Sequence, residues 1–360
     1  MPYLDANATE PLRPEARAAA IEAMDLVGNP SSVHAAGRTA RALLERSRRT
    51  LAARFGAEPG GIVFTSGGTE ANALAIAALG AGRRLIASAV EHDAVRAAAP
   101  GAEILPVDPD GVADLAALER LLSGGPALVC LMLANNETGT IQPVAEAARL
   151  CRRAGALLHV DAVQAVGRMA VELAALGADS LALSGHKLGG PKGAGALLLA
   201  PGRDVAALLP GGGQEKGRRG GTQALPAIAG LAAAAECDRP DTMALRGEIE
   251  GAVRASGGIV LGGPQRLANT VCAAHPGVAA ETQVIALDLA GIQVSAGAAC
   301  SSGKVGRSHV LEAMGLGDLA GQSIRISLPW NATVADVRAF GSAYAGMAAR
   351  LGLRAVLQAV

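Results

Sequence analysis

From about residue 33 to about residue 245, short apolar runs alternate with amphipathic stretches of helical period. The runs "GIVF" (61–64), "RLIASA" (84–89), "ALVCLML" (127–133), "ALLHV" (156–160), "SLALS" (180–184) and "GALLLA" (195–200) predict strands, while 33–54, 70–80, 112–122 and 144–154 predict helices. Apolar strands alternating with helices imply an α/β fold, a mostly parallel sheet covered on both faces. From about residue 246 the pattern changes: "NTVCAA" and "SIRISL" (323–328) read as strands and a helix follows Thr333, predicting a smaller α+β unit that the first residues of the chain join. The division expected is 15–245 for a large domain, and 1–14 with 246–360 for a small one.

Composition narrows the choice of function little. The 360 residues are 50% hydrophobic and only 2% aromatic, so the core must be packed largely with Ala, Leu and Val. Net charge is zero, which gives no pointer to nucleic acid or to a membrane surface. No run approaches the roughly 20 apolar residues of a membrane span, and the N-terminus lacks a basic segment followed by an apolar one, so a cytoplasmic protein is expected. Five scattered cysteines (Cys130, Cys151, Cys237, Cys272, Cys300) suit neither a disulfide framework nor a metal site.

In open sheets of this kind ligands sit beyond the carboxyl ends of the strands, and there the polar residues collect. After "GIVF" comes "TSGGTEANALAI", where Gly68 and Thr69 open a helix whose free N–H groups suit a phosphate or serve as an ordinary glycine-rich turn. It is no Walker A loop, and neither is "SSGKV" at 301–305. After "RLIASA" stands His92, and such a histidine taken alone is more often a structural hydrogen-bonder. Asn135 and Asn136 follow "ALVCLML", where a turn or helix cap is the commoner use. Asp161 follows "ALLHV" directly, with Gln164 three positions on; a carboxylate so near the core needs a cation or strong donors. Ser184, His186 and Lys187 end "SLALS", and a lysine there has a partly desolvated amine suited to Schiff-base chemistry, although an exposed cation is the commoner reading. One ligand uses all these groups together. Pyridoxal 5′-phosphate offers a phosphate for the Gly68/Thr69 helix start, a pyridinium for Asp161, a ring face for His92 and an aldehyde for Lys187.

In order and spacing, "YLDANAT", "GNPSSVHAAGR", "FTSGGTEANALAI", "EHDAV", "NNETGTIQPV", "HVDAVQAVG", "SGHKLGGPKGAGAL", "GGGQEKGRRGGTQ", "GAACSSGK" and "SIRISL" resemble the cysteine desulfurases, within the class V aminotransferase group of fold-type I pyridoxal phosphate enzymes. The resemblance runs from Tyr3 to Leu328 and implies a seven-stranded, mostly parallel sheet. It implies that Lys187 bonds the cofactor, Asp161 pairs its ring nitrogen, Gln164 contacts its hydroxyl and His92 stacks on the ring and shuttles a proton. Gly68, Thr69, Ser184 and His186 hold the phosphate, Asn136 lies beside cofactor and substrate, and Arg325 receives the substrate carboxylate. Thr222 reaches the phosphate of a second subunit, which implies a homodimer. Cys300 takes sulfur from L-cysteine as a persulfide, releasing L-alanine, and hands it to an acceptor such as an iron–sulfur scaffold, with which it transiently shares a cluster ligand role; no resident metal is expected.

Three details qualify the resemblance. Gln214 stands where many relatives have histidine, only residues 329–360 follow "SIRISL" where scaffold-docking relatives often carry an extension, and the loop from Gly297 towards His309 is of the longer, group I kind. A selenocysteine lyase, a small-substrate transaminase or a non-catalytic scaffold on the same fold are the competing expectations.

Overall fold

The computed structural model describes residues 1–238, 240–297 and 306–358. Seven strands, β1 (Ile62–Thr65), β2 (Arg84–Ser88), β3 (Glu103–Leu105), β4 (Ala127–Cys130), β5 (Leu157–Asp161), β6 (Ser180–Ser184) and β7 (Gly195–Leu199), form one sheet in the order β1-β7-β6-β5-β4-β2-β3. Strands β3, β2, β4, β5 and β6 are parallel. β7 runs antiparallel to both β6 and β1, because the glycine-rich connection 185–194 is too short for a helical crossover. Every position of β5, β6 and β7 is buried, as two helical layers require of a central strand. The short edge strand β3 has only three residues, too few to show a periodic pattern, and it escapes sequence reading.

A second sheet, β10-β11-β9-β8, is antiparallel throughout: β8 (Ile259–Leu261), β9 (Thr270–Ala274), β10 (Ser295–Ala296) and β11 (Ser323–Ser327). The beginning of the chain runs alongside it through parallel bridges of Tyr3 to Gln293 and Asp5 to Ser327. Leu4 is fully buried in a core with Phe340, Tyr344 and Met347 of the helix Val334–Gln358. Among the described residues no helix is long and apolar enough to cross a membrane.

The segment before Thr222 is fastened to the large sheet by charge. Arg48 grips Glu215 through two hydrogen bonds of 2.8 and 3.0 Å, and Glu215 also accepts from the Phe64 amide at 3.0 Å and from Gln223 at 3.0 Å. These contacts hold Glu215 and Lys216 in the left-handed region (φ 49° and 59°), a conformation disfavoured for residues with a Cβ. Gln214 accepts from the Gly221 amide at 3.2 Å, so the position where relatives often have histidine is hydrogen-bonded within its own loop. Since both charges are buried, Glu215→Ala should leave Arg48 with only the partly exposed Glu45 as counter-ion and destabilise the fold by up to about 3 kcal/mol, read as a drop in the urea midpoint.

Candidate active site

At the carboxyl ends of β1, β2, β4, β5 and β6 lies a cavity of about 220 Å³. Nine of the residues that the sequence singles out line it: Gly68, Thr69, His92, Asn136, Asp161, Gln164, Ser184, His186 and Lys187. They come from five separate stretches of the chain, and the parallel sheet is what brings them together.

One end of the cavity is built for an anion. The helix Gly68–Leu79 starts there without a side-chain cap, leaving its first N–H groups for a ligand. A Cβ on Gly68 would stand 2.6 Å from Val163 Cγ2, so only glycine lets the helix start pack this closely against the turn after β5. Ser184 lies buried beside it, and His186 Nδ1 is 3.0 Å from Thr9 Oγ1. Burial, then the positive Lys187, push the His186 ring down to about 4, so it meets a ligand neutral.

Asp161, buried at the end of β5, also lines the cavity. Its Oδ2 accepts from Asn72 Nδ2 at 2.7 Å and its Oδ1 from the Val163 amide at 2.9 Å. Desolvation raises the carboxyl above its ordinary value, while these two donors and the positive Lys187 pull it back. A carboxylate so placed is suited to pairing with a cationic N–H. Neither Asn72 nor His159 behind it was singled out from the sequence; the available signal was a polar side chain on an apolar helix face, three residues after Thr69, and another inside an apolar strand.

Lys187 Nζ donates to the main-chain carbonyls of Asn7 and Ala8. Gln164 Nε2 donates to the same Asn7 carbonyl at 3.0 Å, and Arg168 holds Gln164 through its carbonyl and side-chain oxygens. His92 caps a short helix, its Nδ1 accepting from the Ala94 amide at 3.1 Å. That leaves Nε2 to carry the proton of a neutral ring.

Arg325 and Thr222 lie outside the cavity lining. Arg325 is buried one residue-shell away: it donates to the Asn136 carbonyl at 3.2 Å and to Asp5 Oδ1 at 2.8 Å. Asp5 is thus a counter-ion that the quoted "YLDANAT" contained without revealing. Thr222 is exposed. Cys300 lies outside the described residues, but Gly297 and Ser308 on either side of that segment both abut Glu137: Ser308 Oγ donates to it at 2.6 Å, and a Cβ on Gly297 would come within 2.8 Å of its Oε2. Cys130, Cys151 and Cys272 are buried free thiols, driven up to about 12 or beyond by burial. Cys237 is only half-buried rather than interior.

An uncapped helix start, a buried carboxylate and an amine around one cavity fit the phosphate, ring nitrogen and aldehyde of pyridoxal phosphate. Residues 2–340 match the family described as Aminotransferase class-V. The chain belongs to that family, on its cysteine desulfurase branch. It is 44% identical to a cysteine desulfurase of Cereibacter sphaeroides, over 93% of this chain and 92% of the relative. A NifS-like protein of Rickettsia africae superposes with a TM-score of 0.90 at 34% identity, covering 96% of this chain and 99% of the other. SspA, solved in complex with cysteine, superposes with a TM-score of 0.79 at 28% identity over 92% of this chain and all of that one. Membership implies pyridoxal phosphate as cofactor.

Glu137 gives the site a pH dependence. Burial pushes its carboxyl from 4.5 up to about 7, against the pull of Ser308 and Arg325. Folded protein therefore holds a proton that the unfolded chain has released, and this contribution to stability is full below pH 4.5 and lost as pH rises through 7. Glu137→Gln should flatten the slope of Tm against pH across that window.

Proposed function

We propose that this cysteine desulfurase acts on L-cysteine, giving L-alanine and a persulfide on Cys300, for delivery to iron–sulfur or thiolation acceptors. The observation that carries this reading is the convergence of Lys187, Asp161 and the Gly68 helix start on one cavity. When bound, pyridoxal phosphate supplies an electron sink conjugated to the substrate α-carbon. The helix start with Thr69, Ser184 and His186 holds its phosphate, Asp161 its ring nitrogen, Gln164 its hydroxyl, and His92 covers the ring.

Lys187 would hold the aldehyde of the bound cofactor and, as a free amine, would carry the substrate α-proton. Its perch on the Asn7 and Ala8 carbonyls fixes where the amine stands before and after. Arg325 receives the substrate carboxylate beside Asn136, its fork already oriented by Asp5. His92 covers the ring and presents its Nε2–H, the proton that the Nδ1 cap fixes there, as a donor towards the substrate sulfur. The Cys300 thiolate then attacks the substrate sulfur: the carbon–sulfur bond breaks, a sulfur–sulfur bond forms, and the carbon gains a proton as L-alanine departs. One thiol and one L-cysteine go in, and one persulfide and one L-alanine come out, so no external oxidant is needed.

Thr222, exposed and outside the cavity of its own chain, is assigned to the phosphate site of a second copy in a homodimer. The Arg48–Glu215 fastening would present it there at low cost in order.

Incubating the purified holoprotein with L-cysteine and a thiol reductant should release alanine and sulfide in equal amounts. Cys300→Ala should abolish the added sulfur seen by mass spectrometry; a transaminase would retain its turnover in that variant. Lys187→Ala should lower alanine formation by at least about 10³-fold, as loss of both covalent attachment and the proton carrier implies. Absence of alanine from wild-type holoprotein would sink the proposal.

A further inference from the structure

Behind Asp161 runs a line of side chains that the reaction as described does not use. Asn72, His159 and Ser180 are all fully buried, on the helix Gly68–Leu79, on β5 and on β6. Asn72 Nδ2 donates to Asp161 Oδ2 at 2.7 Å, and Asn72 Oδ1 lies 2.8 Å from His159 Nε2. An amide oxygen can only accept, so His159 Nε2 carries a proton. Burial drives the His159 ring down to about 3, so it is neutral and holds that single proton. Its Nδ1 is then bare and accepts from Ser180 Oγ, 2.8 Å away. Every donor in the line faces the same way: Ser180 to His159, His159 to Asn72, Asn72 to Asp161.

We propose that Ser180, His159 and Asn72 form a one-way relay of positioning residues that holds Asp161 as an acceptor-only carboxylate aimed at the ring nitrogen of the cofactor. It rests on the reading that pyridoxal phosphate binds with that nitrogen at Asp161. A protonated Asp161 donating towards Asn72 would need the amide turned over, the His159 proton moved to Nδ1 and the Ser180 hydroxyl reversed. The relay therefore ties the protonation of one carboxyl to three groups at once. It works beside the positive Lys187, which favours the same state, and against the buried Glu91, whose charge would oppose it. Asn72 also lies one turn beyond Thr69 on the helix whose start faces the phosphate, so a single rigid element sets both the phosphate end and the brace of the ring-nitrogen partner.

The test compares two aldehydes titrated into apoprotein: pyridoxal phosphate, and the analogue with CH in place of the ring nitrogen. Unaltered protein should prefer the natural cofactor. Asn72→Leu and His159→Leu should each weaken pyridoxal phosphate by on the order of 10- to 100-fold, the range for a hydrogen bond to a charged group, while leaving the analogue nearly unchanged. His159→Gln, which keeps an N–H donor, should restore much of the preference. A merely structural role would weaken both ligands equally, and a preference that survives both leucine variants overturns the relay. The two variants sit on different elements, so failure of one to fold leaves the other to decide. Equal binding of both aldehydes by the unaltered protein overturns the Asp161 reading and the relay with it.

Discussion

The polar clamp made by residues 5–9 is the contact on which the site depends. The Asn7 carbonyl accepts from Lys187 and Gln164, while its side chain donates to the Asn136 carbonyl and to Thr270 Oγ1 at 3.1 and 3.0 Å. Two residues earlier Asp5 pairs with Arg325, and two residues later Thr9 meets His186. One short stretch thus touches the amine, the guanidinium and an imidazole, and ties β9 and β11 of the second sheet to the mouth of the first. Unpaired, the buried members Asn7, Gln164 and Arg325 would be costly, so the segment is held in one conformation by the sum of its partners.

Around that clamp the charges are set unevenly. Three buried carboxyls, Glu91, Glu137 and Asp161, are all raised by desolvation, yet their surroundings separate them. Asp161 has two donors and the nearby Lys187 amine; Glu91 has the Met132 amide at 2.6 Å and an oxygen without a hydrogen-bond partner among the described residues; Glu137 is raised to about 7 against the pull of Ser308. Environment rather than residue type assigns the ionised role to Asp161. The same logic leaves Cys130 and Cys272 inert, since burial with nearby carboxylates disfavours their thiolates.

The strands carrying the site were legible in the chain because each is a run of Leu, Val, Ile and Ala ending abruptly in a polar residue. β5 ends in Asp161 and β6 in Ser184, just before Lys187. That break in polarity marks a strand end whatever the partner strands are. β3 left no such mark, and neither did Asn72 or His159, whose meaning depends on which side chain faces them across the sheet.

The sequence by itself determined the class of fold, the strand-end residues and, through its motifs, the family, because periodicity, glycine and a lone buried charge act locally. Tertiary structure decided which groups meet. Asp5 lies 320 residues from Arg325 and Asn72 lies 89 from Asp161. Contacts at such separations are fixed by sheet order and by the path of the first ten residues, and no local pattern encodes either one.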